Sequence, residues 1–131
     1  MSIILGINAF HAGAAASLIV DGVPVLAIPE ERLNRVKNYA GFPVKAIERC
    51  LQESGIEYEQ IEHIAIGRDK SANMAEKLKY VASHPTKLLN LAKIKSSRSA
   101  IDDMKQLISN NCNVDIKRLK FQQHNIEHHI A

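Results

Sequence analysis

The first 28 residues alternate short apolar runs with small or polar residues, a pattern typical of β-strands. Predicted strands cover Ile3–Asn8, Ala15–Val20 and Val23–Ile28. Asp21-Gly22 separates the last two runs and is a two-residue hairpin signal. Pro24 lacks an N–H and falls near the start of its strand, where that loss costs least. The pattern predicts a three-stranded antiparallel meander.

The rest of the chain alternates between helical and strand patterns. A short charged helix is predicted over Glu30–Lys37. Apolar residues recur at helical spacing from Val44 to Leu51, between Pro43 and a C-terminal Gly55 cap. Further strands are predicted at His63–Ile66 and Leu119–Gln122, and further helices at Ala72–Tyr80, Thr86–Ile94 and Ala100–Ile108. Asn125 is expected to cap a helix that begins with Ile126–Ala131.

This order of elements, βββαβ, helices, β and the start of a helix, resembles the ribonuclease H-like α/β lobe of actin, Hsp70 and hexokinase. The sheet of such a lobe mixes antiparallel and parallel pairs. Those proteins bind their ligand between two lobes, and 131 residues suffice for only one. We therefore expect residues 1–131 to be the first part of an N-terminal lobe. The reason is that the sequence ends inside a predicted helix, where a natural domain rarely ends. Residues 69–115 are expected to form a helical insertion within it.

Composition excludes several classes of protein. Cys50 and Cys112 lie far apart and form no CxxC motif, which argues against a zinc knuckle or a disulfide framework. The absence of Trp and an aromatic content of 5% argue against a stacking surface for single-stranded nucleic acid. No apolar run approaches the roughly 20 residues that span a membrane. The N-terminus has no pattern of an export signal, so a cytoplasmic location without membrane contact is expected.

The net charge of +3 is unevenly distributed along the chain. Eight basic residues and only two acidic residues lie between Arg68 and Arg98. Such a stretch is compatible with an anionic ligand or nucleic acid. It is equally compatible with a solvated helical face, which we favour because no aromatic or glycine-rich framework accompanies the charge.

Three segments contain residues suited to chemistry. The loop Asn8–Ala14 is built of small residues whose backbone N–H groups could hold a phosphate or carboxylate, which makes Asn8 and Gly13 candidate substrate- or nucleotide-binding residues. His11 at its tip could act as an acid or a base, or stay an exposed hairpin residue. No dinucleotide fingerprint or P-loop motif accompanies this loop.

The other two segments are a histidine cluster and a charged corner. His124 to His129 holds three histidines and one glutamate, a composition found in metal sites and also on ordinary surfaces. Glu30-Glu31-Arg32 precedes the corner Gly41-Phe42-Pro43. Its charges could hold a loop against a ligand, or form the ion pairs of a surface helix.

Taken together, ILGINAFHAGAAASLIVDG, PEERLNRVKNYAGFP and the terminal EHHIA resemble the N-terminal part of the carbamoyltransferases of nodulation-factor and antibiotic biosynthesis. The resemblance is close over residues 3–54 and brief over 124–131. It implies two ribonuclease H-like lobes followed by a YrdC-like domain. It also implies that carbamoyl phosphate and ATP, as co-substrate, form a carbamoyladenylate, from which the carbamoyl group passes to a hydroxyl-bearing acceptor.

The resemblance also assigns roles to particular residues. His11 matches the loop histidine beside the transferred carbamoyl group, and is the candidate catalytic residue. His128 matches the first ligand of a divalent metal, typically iron, whose second histidine ligand would fall at position 132. The family has acidic or polar residues where this chain has Ala12 and Gly13, and phenylalanine in place of Leu33. The missing C-terminal lobe and YrdC-like domain would belong to the same or another chain.

Two other functions remain open. The chain could be a non-catalytic or split module of this fold that needs a partner chain. It could also be a relative of the tRNA threonylcarbamoyladenosine transferases, with the basic stretch 68–98 binding RNA. The terminal His-His-Ile-Ala differs from the His-His-x-Glu pattern expected of those tRNA enzymes, so the O-carbamoyltransferase is favoured.

Overall fold

The computed structural model describes residues 1–67, 74–84 and 103–126. Its strands are β1 (Ile3–Asn8), β2 (Ala15–Val20), β3 (Val23–Pro29), β4 (His63–Ile66) and β5 (Gln122–Asn125). Its α-helices are α1 (Glu31–Asn34), α2 (Val44–Ser54), α3 (Met74–Ser83) and α4 (Met104–Cys112). Short 3-10 turns at Tyr58–Gln60 and Ile116–Arg118 precede β4 and β5.

The five strands form one mixed sheet in the order β3-β2-β1-β4-β5. β2 pairs antiparallel with both β1 and β3, whereas β4 pairs parallel with β1 and with β5. The predicted meander is thereby confirmed, and the parallel strands follow it on the other side of β1. This strand order is that of the ribonuclease H-like α/β fold expected from the sequence.

The hairpin between β2 and β3 turns at the predicted dipeptide. Asp21 and Gly22 have φ values of 49° and 79°, the positive pair that matches the right-handed twist of a two-residue hairpin. Pro24 lies on β3, which is one of the two edge strands of the described sheet. It pairs with Ile19, next to a register shift between Leu18 and Ile19. The missing N–H of Pro24 is therefore accommodated at an irregular edge position.

The hydrophobic core lies on one face of the sheet. Alternate residues of β1 (Ile3, Leu5 and Ile7) are buried there, because successive side chains of a strand point to opposite faces. α2 covers this face with its own apolar stripe, and α4 adds Met104 and Ile108. Members of the core from α2 and β4 are Ala46, Ile47, Cys50, Leu51, Ile64 and Ile66. The opposite face of β1 and β4 is only half-buried.

Helix α2 follows the predicted boundaries. It begins after Pro43 and ends at Gly55, whose φ of 67° lies in the left-handed region. The Gly55 N–H bonds back to carbonyls of the last turn, the arrangement that makes glycine a common helix terminator.

Five predicted elements have different boundaries in the structure, and the smallest difference is in β3, which ends at Pro29 rather than Ile28. The helix expected over Glu30–Lys37 is only α1, because Arg35 adopts φ 62° and ends it. The last strand is Gln122–Asn125 rather than Leu119–Gln122. Leu119 and Phe121 are buried, but they precede a strand of wholly polar residues. α4 starts after Asp103, whose side chain caps Gln106 N, and runs past Ile108 to Cys112. α3 likewise runs past Tyr80 to Ser83.

Other predictions fall partly or wholly outside the described residues. The helix Thr86–Ile94 and residues 127–131 of the predicted final helix lie there. Asn125, the expected cap of that final helix, is instead the last residue of β5. The next residue continues the pairing with β4, since Ile126 N donates to Ile66 O at 2.7 Å. About half of the expected insertion 69–115 also lies outside the described residues. Its assignment as a separate unit stays a prediction. Its last part, α4, packs into the core.

Across the parts of the chain that are described, no helix is long and apolar enough to cross a membrane.

Candidate functional site

The loop between β1 and β2 is shaped by Asn8. The Asn8 Nδ2 group donates to Gly13 O at 2.9 Å, which closes the loop across five residues. Two loop residues take positive φ, Phe10 at 56° and Gly13 at 81°. No atom lies within 4 Å of the position that a Cβ on Gly13 would occupy, so this glycine serves backbone conformation rather than close packing.

The loop is fastened to the Gly41-Phe42-Pro43 corner. Phe10 N donates to Gly41 O at 3.1 Å, and Ala14 N donates to Tyr39 O at 3.0 Å. The rings of Phe10 and Phe42 lie 6.2 Å apart and are tilted by 38°. The structure thus brings together the loop and the corner, which are two separate candidate segments in the sequence. It also engages the Phe10 and Ala14 amides, so these two amides do not face a ligand.

Glu30 links the loop to helix α2. It is 3% exposed, and its Oε2 accepts from Ala46 N at 2.7 Å while Oε1 accepts from Lys45 N at 3.3 Å. These amides belong to the first turn of α2, where backbone N–H groups lack partners within the helix. A carboxylate there also meets the positive end of the helix dipole. Glu30 N in turn donates to Ala14 O at 2.8 Å.

Sequence reasoning missed this role of Glu30. It treated the Glu30-Glu31-Arg32 charges as loop-holding groups or surface ion pairs. Glu31 does hold the following loop, since its Oε2 accepts from Asn38 N at 2.9 Å. Glu30 instead caps a helix that starts 14 residues later in the sequence. The available signal was the lack of a Ser, Thr, Asp or Asn before Val44, which leaves α2 without a local cap.

His11 lies at the exposed tip of the fastened loop. Its Nδ1 is 3.0 Å from Ala12 O, and because a carbonyl only accepts, Nδ1 carries the proton. In a neutral ring with this tautomer, Nε2 is the basic nitrogen. In this contact His11 donates from Nδ1, on a loop that is anchored to the Gly41-Phe42-Pro43 corner.

The loop stands at the edge of the sheet where the parallel strands end. β1, β4 and β5 run in the same direction and end at Asn8, Ile66 and Asn125. Open α/β sheets bind ligands outside the carboxyl ends of their strands. His11 follows β1 by three residues and His128 follows β5 by three residues in the sequence. Both candidates are thus attached to strands that end at one edge.

Of the histidine cluster 124–129, the structure describes residues 124–126. His124 lies on β5, and its Nε2 contacts Nδ1 of His63 on β4 at 3.1 Å. His128 and His129 lie outside the described residues. Within residues 1–67, 74–84 and 103–126, no three His, Cys, Asp or Glu side chains are gathered as for a metal. The metal role of His128 stays a prediction.

Much of the basic stretch 68–98 is also outside the described residues. Lys79, within α3, is exposed. The solvated helical face favoured for this stretch stays a prediction.

A separate cleft of about 400 Å³ lies beside α2 and α4, away from the loop. It is lined by Glu48, Leu51, Gln52, Gly55, Ile56, Glu57, Tyr58 and Cys112. The Tyr58 hydroxyl is buried there, and burial raises its pKa above the ordinary value. Burial also raises the pKa of the Cys112 thiol. Both groups are therefore held neutral, which suits packing better than nucleophilic chemistry.

Comparison with known proteins gives the site its context. The chain is 45% identical over 64 residues to the uncharacterized protein sll1178 of Synechocystis, covering 49% of this chain and 10% of that protein. It is 40% identical over 58 residues to the nodulation protein NolNO of Sinorhizobium fredii, covering 44% of this chain and 8% of that protein. An uncharacterized 19.2 kDa protein of Rhizobium etli is 32% identical over 79 residues, covering 60% and 46%. The matches thus span less than half of each relative.

Among solved structures, YeaZ from Pseudomonas aeruginosa aligns with 55% of this chain and 32% of its own, at 20% identity and a TM-score of 0.38. A second structure, of an uncharacterized protein similar to peptidase YEAZ, aligns over the same fractions at 18% identity and a TM-score of 0.40. Residues 3–131 match the family described as Carbamoyltransferase N-terminus. The chain belongs to the carbamoyltransferase N-terminus family.

Proposed function

We propose that this chain is the N-terminal portion of an O-carbamoyltransferase that moves a carbamoyl group from a carbamoyladenylate to a hydroxyl of a sugar or antibiotic-like acceptor. The observation that carries the proposal is the family match over residues 3–131, together with an anchored His11 loop at the carboxyl ends of the parallel strands. Carbamoyl phosphate and ATP would supply the carbamoyladenylate.

In this proposal His11 acts as the general base. Nδ1–H is held by Ala12 O, so Nε2 is the nitrogen that takes the proton of the acceptor hydroxyl. The hydroxyl oxygen attacks the carbamoyl carbon and forms the new C–O bond. The bond between that carbon and the phosphate oxygen breaks, and AMP leaves with the electron pair. An exposed imidazole suits this task because the acceptor must enter from solvent.

Asn8 and Gly13 act in the proposal mainly through the shape of the loop. The Asn8–Gly13 hydrogen bond and the positive φ of Gly13 hold the turn in which His11 sits. Positioning of this kind matters because small displacements of a catalytic group cost large factors in rate. The remaining loop backbone would face the phosphate of the adenylate.

A divalent metal, iron by family resemblance, would be held partly by His128 and would polarise the carbamoyl adenylate when bound. A single histidine cannot make such a site, because metal sites use about three or four protein ligands. A histidine at position 132 and an aspartate of the second lobe would supply the other ligands. The second lobe and the YrdC-like domain, on the same or another chain, would supply the sites for ATP and carbamoyl phosphate.

The experiment compares this chain alone with the complete enzyme, in which the second lobe and YrdC-like domain are present. Both receive carbamoyl phosphate and ATP, with glucosamine as the hydroxyl-bearing probe. We expect ATP consumption that requires carbamoyl phosphate from the complete enzyme and none from the chain alone. Absence of that dependence in the complete enzyme would refute the proposed reaction. Turnover by the chain alone would refute the need for the other domains.

A further inference from the structure

Two histidines that are 61 residues apart in sequence meet on the open face of the sheet. His63 is the first residue of β4, and His124 is the third residue of β5. In the parallel register His63 is opposite Gln122 and Ala65 is opposite His124, so the two histidines are diagonal neighbours on one face. Their rings lie 5.1 Å apart and are tilted by 57°.

Solvent reaches the two histidines to different degrees. His63 is half-buried and His124 is exposed. Their face is the one opposite the core, since Ile64 and Ile66 of β4 point to the other side. Each ring can therefore pivot about its Cβ–Cγ bond without disturbing core packing.

The separation of the two ring nitrogens suits a shared cation. Nδ1 of His63 and Nε2 of His124 are 3.1 Å apart. Two imidazole nitrogens at roughly 2.0–2.1 Å from one metal ion, at tetrahedral or right angles, are about 2.9–3.4 Å apart. A small rotation that aims both lone pairs at a common point would thus replace the hydrogen bond by chelation. We propose that His63 and His124 form a two-histidine site for a borderline transition-metal ion.

The chemistry of the pair narrows the choice of ion. Imidazole nitrogens favour Cu²⁺, Ni²⁺ and Zn²⁺ over Mg²⁺ and Ca²⁺, which take oxygen ligands. Among the described residues no third His, Cys, Asp or Glu joins the pair, so this part of the chain supplies two ligands. Such a site binds with moderate affinity, rising from Zn²⁺ to Cu²⁺. It ties the neighbouring strands β4 and β5, whose pairing is four residues long.

This site is independent of the proposed carbamoyl transfer. It uses neither His11 nor His128, and its ligands are positioned by strand register rather than by the β1–β2 loop. Its bound state would stabilise the fold, because a ligand that binds only the native chain lowers the free energy of that state.

The test is a calorimetric titration of the metal-free full chain with Cu²⁺ and with Zn²⁺, in a His128→Ala background that removes the histidine assigned to the family metal. We expect one saturable site in this background. His63→Gln should weaken it on the order of 10²-fold, since the second ligand no longer acts within the same complex. His84→Gln is the matched control, because His84 is an exposed histidine that contacts Tyr80 and Ser83 instead. It should bind as the background does.

Two further readings make the result decisive. Electron paramagnetic resonance of the 1:1 Cu²⁺ complex should show two coordinated imidazole nitrogens, and one fewer in His63→Gln. Melting without metal should be similar in all variants, since His63 lies outside the core. Binding that is unchanged by His63→Gln would assign the ion to the histidines of 124–129 alone and overturn the proposal. Absence of a saturable site in the His128→Ala background would also overturn it.

Discussion

The carboxylate of Glu30 accepts a hydrogen bond from the backbone N–H of Ala46, 16 residues later in the sequence, with 2.7 Å between Oε2 and N. This bond joins the end of the meander to the first turn of the helix that covers the core. Through Glu30 N and Ala14 O, the same residue also holds the end of the His11 loop. Glu30 therefore connects the helix that covers the core, through its side chain, to the candidate site, through its backbone N–H.

Glu30→Ala should lower the free energy of unfolding by about 1–3 kcal/mol, because it leaves the buried Ala46 N–H and the partly buried Lys45 N–H without their partner. Urea unfolding followed by circular dichroism measures the change. The matched control is Glu53→Ala, which removes the exposed Arg49–Glu53 pair. That change should cost under about 1 kcal/mol. Equal effects of the two substitutions would contradict the capping role of Glu30.

Gly13→Ala should destabilise the chain by roughly 1–2 kcal/mol, because Gly13 has a φ of 81° that disfavours a Cβ. Space is not the cause, since nothing lies within 4 Å of the added atom. Gly13→Asn should cost less, because asparagine tolerates the left-handed region better than alanine does. Thermal melting of the three proteins gives the order. An alanine variant as stable as wild type would show that the loop does not require this backbone conformation.

The ionisation of Tyr58 should lower the free energy of unfolding at alkaline pH. Burial raises the pKa of its phenol above the value of about 10 in an unfolded chain. Above pH 10 the unfolded chain therefore loses a proton that the folded chain keeps, so stability is present below pH 10 and declines above it. The loss should reach about 1 kcal/mol at pH 11.

Tyr58→Phe removes this contribution, together with the interaction by which Tyr58 lowers the pKa of the Cys112 thiol. The free energy of unfolding of the variant should fall less steeply than that of wild type between pH 9 and pH 11. Parallel curves would mean that the hydroxyl ionises as readily in the folded protein as in the unfolded one.

Local patterns predicted the elements that depend on neighbours in sequence. The β1–β2–β3 meander, the Asp21-Gly22 turn and the Gly55 cap each follow from a short stretch of residues whose conformational preferences agree. The ribonuclease H-like fold could be inferred because it is characterised by the order of strands and helices along the chain, which the local patterns predict. Their pairing then confirmed it.

Features that depend on distant partners were not predictable in this way. β5 is Gln-Gln-His-Asn, and it becomes a strand because β4 supplies a parallel partner rather than through strand-forming residues. The role of Glu30 and the meeting of His63 with His124 arise from tertiary placement. In the candidate site, the loop and His11 were identified from sequence, whereas its attachment to Phe42 and Gly41 required the fold.

The most direct test of the proposed function is His11→Asn in the complete enzyme. A loop-tip imidazole buries little apolar area, so the melting temperature should be unchanged. Because the ring acts on the proton transferred in the transition state, kcat and kcat/KM should fall together by about 10²–10⁴-fold. His84→Asn, which alters another exposed histidine, should leave both constants as they are. A His11→Asn enzyme with wild-type melting and a kcat within about threefold of wild type would remove His11 from the mechanism.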